Sequence, residues 1–163
     1  MDIIFINHTR HLLIEKNIIK IIKEIQFELL KNKKVKNRNR LKAKEMTLVF
    51  LSEKKMQQLN YQYRNKSYPT DVLSFDGDFL DSFGELVFCP VILAQQARRF
   101  SNNLNTEFVY MLIHGLLHLL GYDHEKSIKQ KKEMYFIQDK LFHKLTAKKI
   151  NLRLFHVNNN RTK

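Results

Sequence analysis

Three histidines lie within eleven residues in the second half of the chain, in the stretch HGLLHLLGYDH at 114–124. His114 and His118 are four residues apart, so on a helix their imidazoles project from the same face. Gly121 can adopt the left-handed conformation that ends a helix, which would bring His124 back towards the same point. Three neutral imidazoles with one open position are the ligands of many catalytic zinc sites. The stretch therefore predicts one zinc ion bound by His114, His118 and His124.

The same spacing occurs in zinc proteases of the pattern H-E-x-x-H-x-x-G-x-x-H, but Gly115 stands here in place of the glutamate. That glutamate is the general base of the protease reaction, so its absence disfavours peptide hydrolysis. Asp123 suits either a simple turn or a hydrogen bond to a ligand histidine. In the competing interpretation, each histidine is an ordinary core or capping residue. Because three histidines occur together at these spacings, the metal site is favoured.

The elements that must position these histidines follow from the hydrophobic pattern. Strands are predicted at 2–7, 46–52, 71–75 and 84–89, the last two as an antiparallel pair. Helices are predicted from about 14 into the basic loop, from Ser52 to Tyr63, from Pro90 to about Phe100, from Thr106 to Gly121, and over 126–146. The first strand, helix and strand favour a parallel crossover. The pattern predicts an α+β fold in which a small mixed sheet of about four strands packs with several helices, with the zinc site in a cleft.

The chain carries a formal net charge of +13, and its basic residues are unevenly distributed. Residues 31–45 contain eight basic side chains and one acidic, whereas residues 70–92 contain five acidic and none basic. Clustered lysine and arginine attract polyanions such as RNA. A solvated basic loop is the alternative, because a coding bias towards lysine, asparagine and isoleucine would also raise the net charge.

Length and composition favour one cytoplasmic domain. The 163 residues include a single cysteine, Cys89, so an internal disulfide and a thiolate zinc cage are excluded. No apolar stretch is long enough for a membrane span, and the first residues do not resemble a signal peptide. We expect one domain over residues 1–146, a basic and loose C-terminal tail over 147–163, and no membrane partner.

Three stretches, in order, resemble one known family, the YbeY-type bacterial endoribonucleases or ribosomal RNA maturation factors. HGLLHLLGYDH resembles the signature H-G-x-L-H-L-x-G-Y-D-H, and LNYQYRNKSYPTDVLSF (59–75) resembles L-N-x-x-Y-R-x-x-x-x-P-T-D-V-L-S-F. FGELVF (83–88) resembles the strand L-G-D-I-x-I. Ser67 and Glu85 depart from the residues usual in the family, which affects only local substrate contacts.

The resemblance implies a zinc-dependent endoribonuclease that cuts single-stranded ribosomal RNA in ribosome maturation and quality control. It implies that His114, His118 and His124 bind the zinc and that Arg64 and His114 are catalytic. From its residue type alone, Arg64 is either a surface cation at a helix end or a guanidinium that stabilises charge on a phosphate. The implied partners are ribosomal RNA, the small ribosomal subunit and its assembly factors, and no DNA. The alternative is an assembly or RNA-binding factor with a structural zinc and little nuclease activity.

Overall fold

Within the part of the chain that the structure describes, a four-stranded sheet combines with five α-helices. The computed structural model describes residues 1–77, 81–148 and 153–156. The strands are β1 Asp2–Asn7, β2 Glu45–Phe50, β3 Val72–Asp76 and β4 Ser82–Phe88. The helices are α1 Glu15–Lys31, α2 Glu53–Arg64, α3 Pro90–Arg99, α4 Leu104–Leu119 and α5 Ile128–Ala147, with a 3₁₀ helix over Arg38–Lys42. Among these described helices, none is long and apolar enough to span a membrane.

The sheet is mixed, in the strand order β1-β2-β4-β3. β1 pairs with β2 in parallel, β2 pairs with β4 in parallel, and β3 pairs with β4 antiparallel. The register places Leu48 beside Leu86 across the β2–β4 pair and Leu73 beside Val87 across the β3–β4 pair. These pairings confirm the predicted α+β fold with a mixed sheet of four strands.

The two faces of the sheet bury alternate residues of the central strands, as strand geometry requires. Phe50 and Phe88 face the larger core, where their rings stack with centroids 5.7 Å apart. Val49 and Val87 face the opposite side, in a smaller cluster with Met56 of α2. The sheet therefore fixes α2 on one face and the larger helical layer, which includes α4, on the other.

Helix α4 is the central helix of the larger core and lies very close to the sheet. A Cβ atom at Gly115 would lie 2.8 Å from Leu86 Cδ2 and 3.4 Å from Ser74 Oγ. Leu86 is fully buried, so a side chain at position 115 would force the packed core to shift. The helix begins two residues before the predicted Thr106, because the Asn103 side chain accepts a hydrogen bond from Thr106 N and caps it.

The segment after α5 returns to the body of the protein at residues 153–156. Leu154 and Phe155 are 0% and 4% exposed, and Phe155 packs edge-to-face on Phe108 with ring centroids 5.4 Å apart. Asn105 Oδ1 accepts hydrogen bonds from both of their backbone N–H groups. The sequence predicts a loose tail here, but these apolar side chains complete the core. The rest of the predicted tail, residues 149–152 and 157–163, lies outside the described residues.

Candidate metal centre

The predicted turn after α4 forms as a Schellman motif at Gly121. The Gly121 N–H donates to His118 O at 2.8 Å, and the Tyr122 N–H donates to Leu117 O at 3.0 Å. Gly121 has φ 84, a left-handed conformation that glycine adopts without strain. This turn reverses the chain directly after the helix and carries His124 back beside His118.

The three predicted ligand histidines come together. Their imidazole centroids lie 4.7 Å apart for His114 and His118, 5.1 Å for His114 and His124, and 5.2 Å for His118 and His124. One ring nitrogen from each lies within 4.8 Å of the others. The closest pair, His114 Nε2 and His118 Nε2, is 3.1 Å apart, close to the roughly 3.3 Å expected between two nitrogens on one tetrahedral zinc. The donor set fits a metal ion.

A buried glutamine on α5 sets the orientation of His114. Gln138 is fully buried, its Nε2 donates to Tyr110 O at 3.3 Å, and its Oε1 lies 3.0 Å from His114 Nδ1. Because a carbonyl only accepts hydrogen bonds, the glutamine amide must face Tyr110 and its oxygen must face the imidazole. His114 Nδ1 therefore carries the proton, and Nε2 keeps its lone pair for a metal.

The surroundings of the histidines also favour the uncharged form that binds metals. Burial lowers the pKa of His114 below the ordinary histidine value. Burial, and then the charge of neighbouring His114, lower the pKa of His118 to about 4. Both imidazoles are thus neutral ligands near pH 7.

Asp123 lies beside the histidines but makes its contacts within its own turn. Its Oδ1 accepts a hydrogen bond from Glu125 N at 2.8 Å, which lowers the pKa of the carboxyl group. Its Oδ2 lies 3.8 Å from Lys126 Nζ. Of the two roles left open by the sequence, the structure favours the turn residue. Gln138, rather than Asp123, contacts a ligand histidine.

The histidines and Arg64 line the same cleft, which has a volume of about 750 Å³. α2 ends at Arg64 because Asn65 adopts the left-handed conformation, with φ 55, and its N–H donates to Tyr61 O. Arg64 Nη2 lies 3.9 Å from Glu125 Oε1, and its side chain is 38% exposed. That separation is too long for a hydrogen bond, so this ion pair leaves the guanidinium donors available for an anion.

Part of the predicted basic loop holds the metal-binding turn in place. Arg40 Nη1 donates to Leu119 O at 2.5 Å, and its Nη2 donates to Asp76 Oδ1 at 3.0 Å. Asn37 Nδ2 donates to Leu120 O at 3.0 Å. These bonds satisfy carbonyls at the carboxyl end of α4 that have no partner within the helix. Asn37 and Arg40 are therefore structural, whereas Lys33 and Lys34 are exposed.

A comparison with known protein families places the sequence in a described family. The sequence model of Endoribonuclease YbeY matches residues 4–146. The chain belongs to the endoribonuclease YbeY family. The matched range contains Arg64, the three histidines and Gln138.

Relatives in the YbeY family match this chain over different shares of its length. Endoribonuclease YbeY of Bdellovibrio bacteriovorus is 43% identical over 148 residues, 91% of this chain and 97% of that protein. Endoribonuclease YbeY of Thermotoga maritima is 42% identical over 95 residues, 58% of this chain and 63% of that protein. The solution structure of TM1509 from Thermotoga maritima covers 90% of both chains at 29% identity, with a TM-score of 0.59.

Helix α5 contributes site residues that the sequence analysis missed. Besides Gln138, the Tyr135 ring lies 5.9 Å from that of His124 and 6.4 Å from that of His114. The sequence did contain a signal for Gln138. It is a polar residue on the buried face of α5, whose neighbouring buried positions, such as Met134 and Leu141, are apolar. A polar residue at such a position needs a buried hydrogen-bond partner, which here is His114.

Proposed function

We propose that this chain is a zinc-dependent endoribonuclease that cuts single-stranded regions of ribosomal RNA, in ribosome maturation and quality control in the cytoplasm. The observation that carries the proposal is the cluster of three histidines, with His114 oriented by Gln138, in one cleft with Arg64. Membership of the YbeY family supports the endoribonuclease activity. In this proposal His114, His118 and His124 hold one zinc ion, and His114 and Arg64 are the catalytic residues.

The cleft residues suit cleavage of a phosphodiester. A bound divalent ion would supply Lewis acidity towards a phosphoryl oxygen and lower the pKa of a water molecule. Arg64 offers a planar fork of N–H donors that matches two phosphoryl oxygens as negative charge grows on them. Gln138 keeps His114 in one tautomer and orientation throughout, so the ligand set does not have to reorganise.

The choice of zinc follows from the ligands, and the choice of ribosomal RNA follows from the family resemblance and the charge. Three imidazoles without a thiolate or carboxylate suit zinc better than magnesium or calcium, which prefer oxygen ligands. The net charge of +13 favours a polyanion. The small ribosomal subunit and its assembly factors are the proposed partners on the same grounds.

A substrate panel tests this function. Purified protein would be incubated with one labelled sequence as single-stranded RNA, as an RNA duplex, and as single-stranded DNA, beside the His114→Ala variant. His143→Ala is the matched control, because His143 is exposed on α5 and lies outside the cleft. We expect cleavage of single-stranded RNA only, lost in His114→Ala and retained in His143→Ala. RNA binding without cleavage would instead support the assembly-factor alternative. That alternative is consistent with Gly115, which stands where the zinc proteases have their glutamate general base.

A further inference from the structure

Two exposed aromatic rings line the cleft and are not used by the chemistry proposed above. Tyr63, in the last turn of α2, is 58% exposed, and Phe100, which follows α3, is 68% exposed. Other exposed aromatic residues, such as Tyr61 and Phe136, do not line this cleft. Single exposed apolar residues are ordinary on protein surfaces, so exposure alone has no functional meaning. The position of these two rings in the cleft needs a further explanation.

Each ring is next to arginine in the chain. Arg64 follows Tyr63, and the exposed pair Arg98 and Arg99 precedes Phe100. An aromatic face that stacks on a base, beside a cation that contacts the neighbouring phosphate, is the recurring arrangement for single-stranded nucleic acids. An aromatic residue adjacent to arginine in the sequence thus occurs at the ends of two different helices, α2 and α3; of these arginines, Arg64 lines the cleft.

Tyr63 is held in place before any ligand binds. Its ring packs edge-to-face against Phe75 of β3, with centroids 4.8 Å apart and an interplanar angle of 69°. Phe75 is half-buried and also lines the cleft. A ring fixed on a rigid strand loses little conformational entropy on binding, which favours affinity.

The charge of the cleft adds a reason for stacking. Among the described residues, its lining contains two cations, Arg64 and Lys126, and five carboxylates, from Asp71, Asp76, Glu107, Asp123 and Glu125. Because carboxylates outnumber cations, the side-chain charge of the cleft by itself repels a phosphate chain. Contacts to the bases, which are uncharged, avoid this repulsion and add affinity.

We propose that Tyr63 and Phe100 stack on bases of the single-stranded RNA that binds in this cleft. The inference rests on the proposed function, because it takes RNA as the substrate of this cleft. It also gives a reason for single-strand selectivity, since bases that are paired in a duplex are already stacked and do not present a face to the rings.

The test compares Tyr63→Ala and Phe100→Ala with two matched controls. Tyr61→Ala removes a ring of equal type from the same helix, and Phe136→Ala removes a phenyl ring of nearly equal exposure, 67%, from outside the cleft. Binding of a short labelled single-stranded RNA would be followed by stopped-flow anisotropy, before turnover. We expect each cleft variant to bind about 5- to 150-fold more weakly, and both controls to bind like the wild type.

Two further variants separate stacking from folding. Tyr63→Leu keeps an apolar contact for Phe75 but cannot stack on a base, whereas Tyr63→Trp can, so only the tryptophan variant should restore binding. An RNA with one abasic nucleotide at the stacked position should bind wild type and Tyr63→Ala equally. Unchanged binding in both alanine variants would overturn the stacking proposal alone, if the wild type still cuts RNA. A wild type that binds RNA through these rings without cutting it would contradict the nuclease function instead, and one that neither binds nor cuts would contradict both.

Discussion

The orientation of His114, a proposed metal ligand, depends on a single side chain from another helix. Gln138 Oε1 lies 3.0 Å from His114 Nδ1, and the Tyr110 carbonyl fixes which end of the glutamine amide faces the imidazole. A partner of this kind orients a ligand histidine and raises its basicity. The metal affinity of the site should therefore depend on a residue that does not touch the metal.

Replacing Gln138 by leucine tests this dependence. Gln138→Leu has a similar volume but no acceptor for the His114 Nδ1–H group, so we expect zinc affinity to fall about 10- to 100-fold. Gln130→Leu, on the same helix and outside the cleft, should leave the affinity unchanged. Competition with a chelator of known affinity measures both. Wild-type affinity in a folded Gln138→Leu protein would show that the glutamine does not orient His114.

Arg64 should act on the rate of cleavage more than on RNA binding. In the proposed reaction its guanidinium meets charge that develops only as the phosphodiester breaks, so Arg64→Ala should lower kcat about 100-fold with a smaller change in KM. Arg64→Lys should restore little, because an ammonium group lacks the planar fork. Lys55→Ala, an exposed cation on the same helix, is the control. Equal activity of the lysine variant and the wild type would rule out a bidentate role.

At the scale of elements, hydrophobic spacing predicted nearly all of the fold. The apolar alternation of β2 and β4 and the helical spacing of α1 and α4 follow from short-range geometry that the sequence carries directly. Gly121 ended α4 as predicted, since a left-handed residue at that point favours glycine. The histidine cluster was predictable for the same reason, because its members lie on one helix and the turn that follows it.

What the sequence did not predict depends on contacts between distant segments. Gln138 meets His114 across 24 positions, and Arg40 meets Leu119 across 79. No spacing in the sequence predicts either contact, because both depend on how α5 and the basic loop pack on α4. The return of Phe155 to the core was missed likewise, because the apolar residues of the tail form too short a run to predict an element, and which of them enter the core depends on packing against distant segments.

Helices α1 and α5 are joined by an ion pair that should make stability depend on pH. Glu28 Oε2 accepts from Lys144 Nζ at 2.5 Å and Oε1 from Lys148 Nζ at 3.1 Å, while the glutamate side chain is 7% exposed. The hydrogen bond from Lys144 is the main reason why the pKa of Glu28 is lowered, although burial opposes it. A lowered pKa means that the folded state holds the charged form, so this stabilisation is complete above the ordinary glutamate value and is lost as pH falls through the lower, folded pKa.

Glu28→Gln should therefore destabilise the protein in a pH-dependent way. We expect a loss of about 1 kcal/mol in the free energy of unfolding near pH 7, and a difference from wild type that closes as pH falls below the ordinary glutamate pKa and through the lower, folded pKa. Urea unfolding at several pH values measures both. Glu45→Gln, at an exposed glutamate of β2, should show no such difference. A destabilisation by Glu28→Gln that stays constant down to pH 3 would contradict the assignment.

At the scale of the whole molecule, the net charge of +13 should appear in the salt dependence of RNA binding. Lys33 and Lys34 are exposed in the basic segment, whereas Arg40 holds the end of α4 and must be left intact. If both lysines contact phosphates, Lys33→Gln with Lys34→Gln should reduce the slope of log affinity against log salt by about 1.4. The matched pair Lys16→Gln with Lys20→Gln, exposed on α1, should reduce it less. Equal slopes for both double variants would make the segment an ordinary solvated loop.

The central claim is that one metal ion on three histidines is required for RNA cleavage. The most direct measurement is the initial rate on a single-stranded RNA as zinc is added back to chelator-treated protein. The rate should rise from zero and level off at about one zinc per chain, with His143→Ala like the wild type and His118→Ala inactive at the same zinc. Full cleavage by chelator-treated protein, or by a folded His118→Ala variant without bound zinc, would contradict the claim.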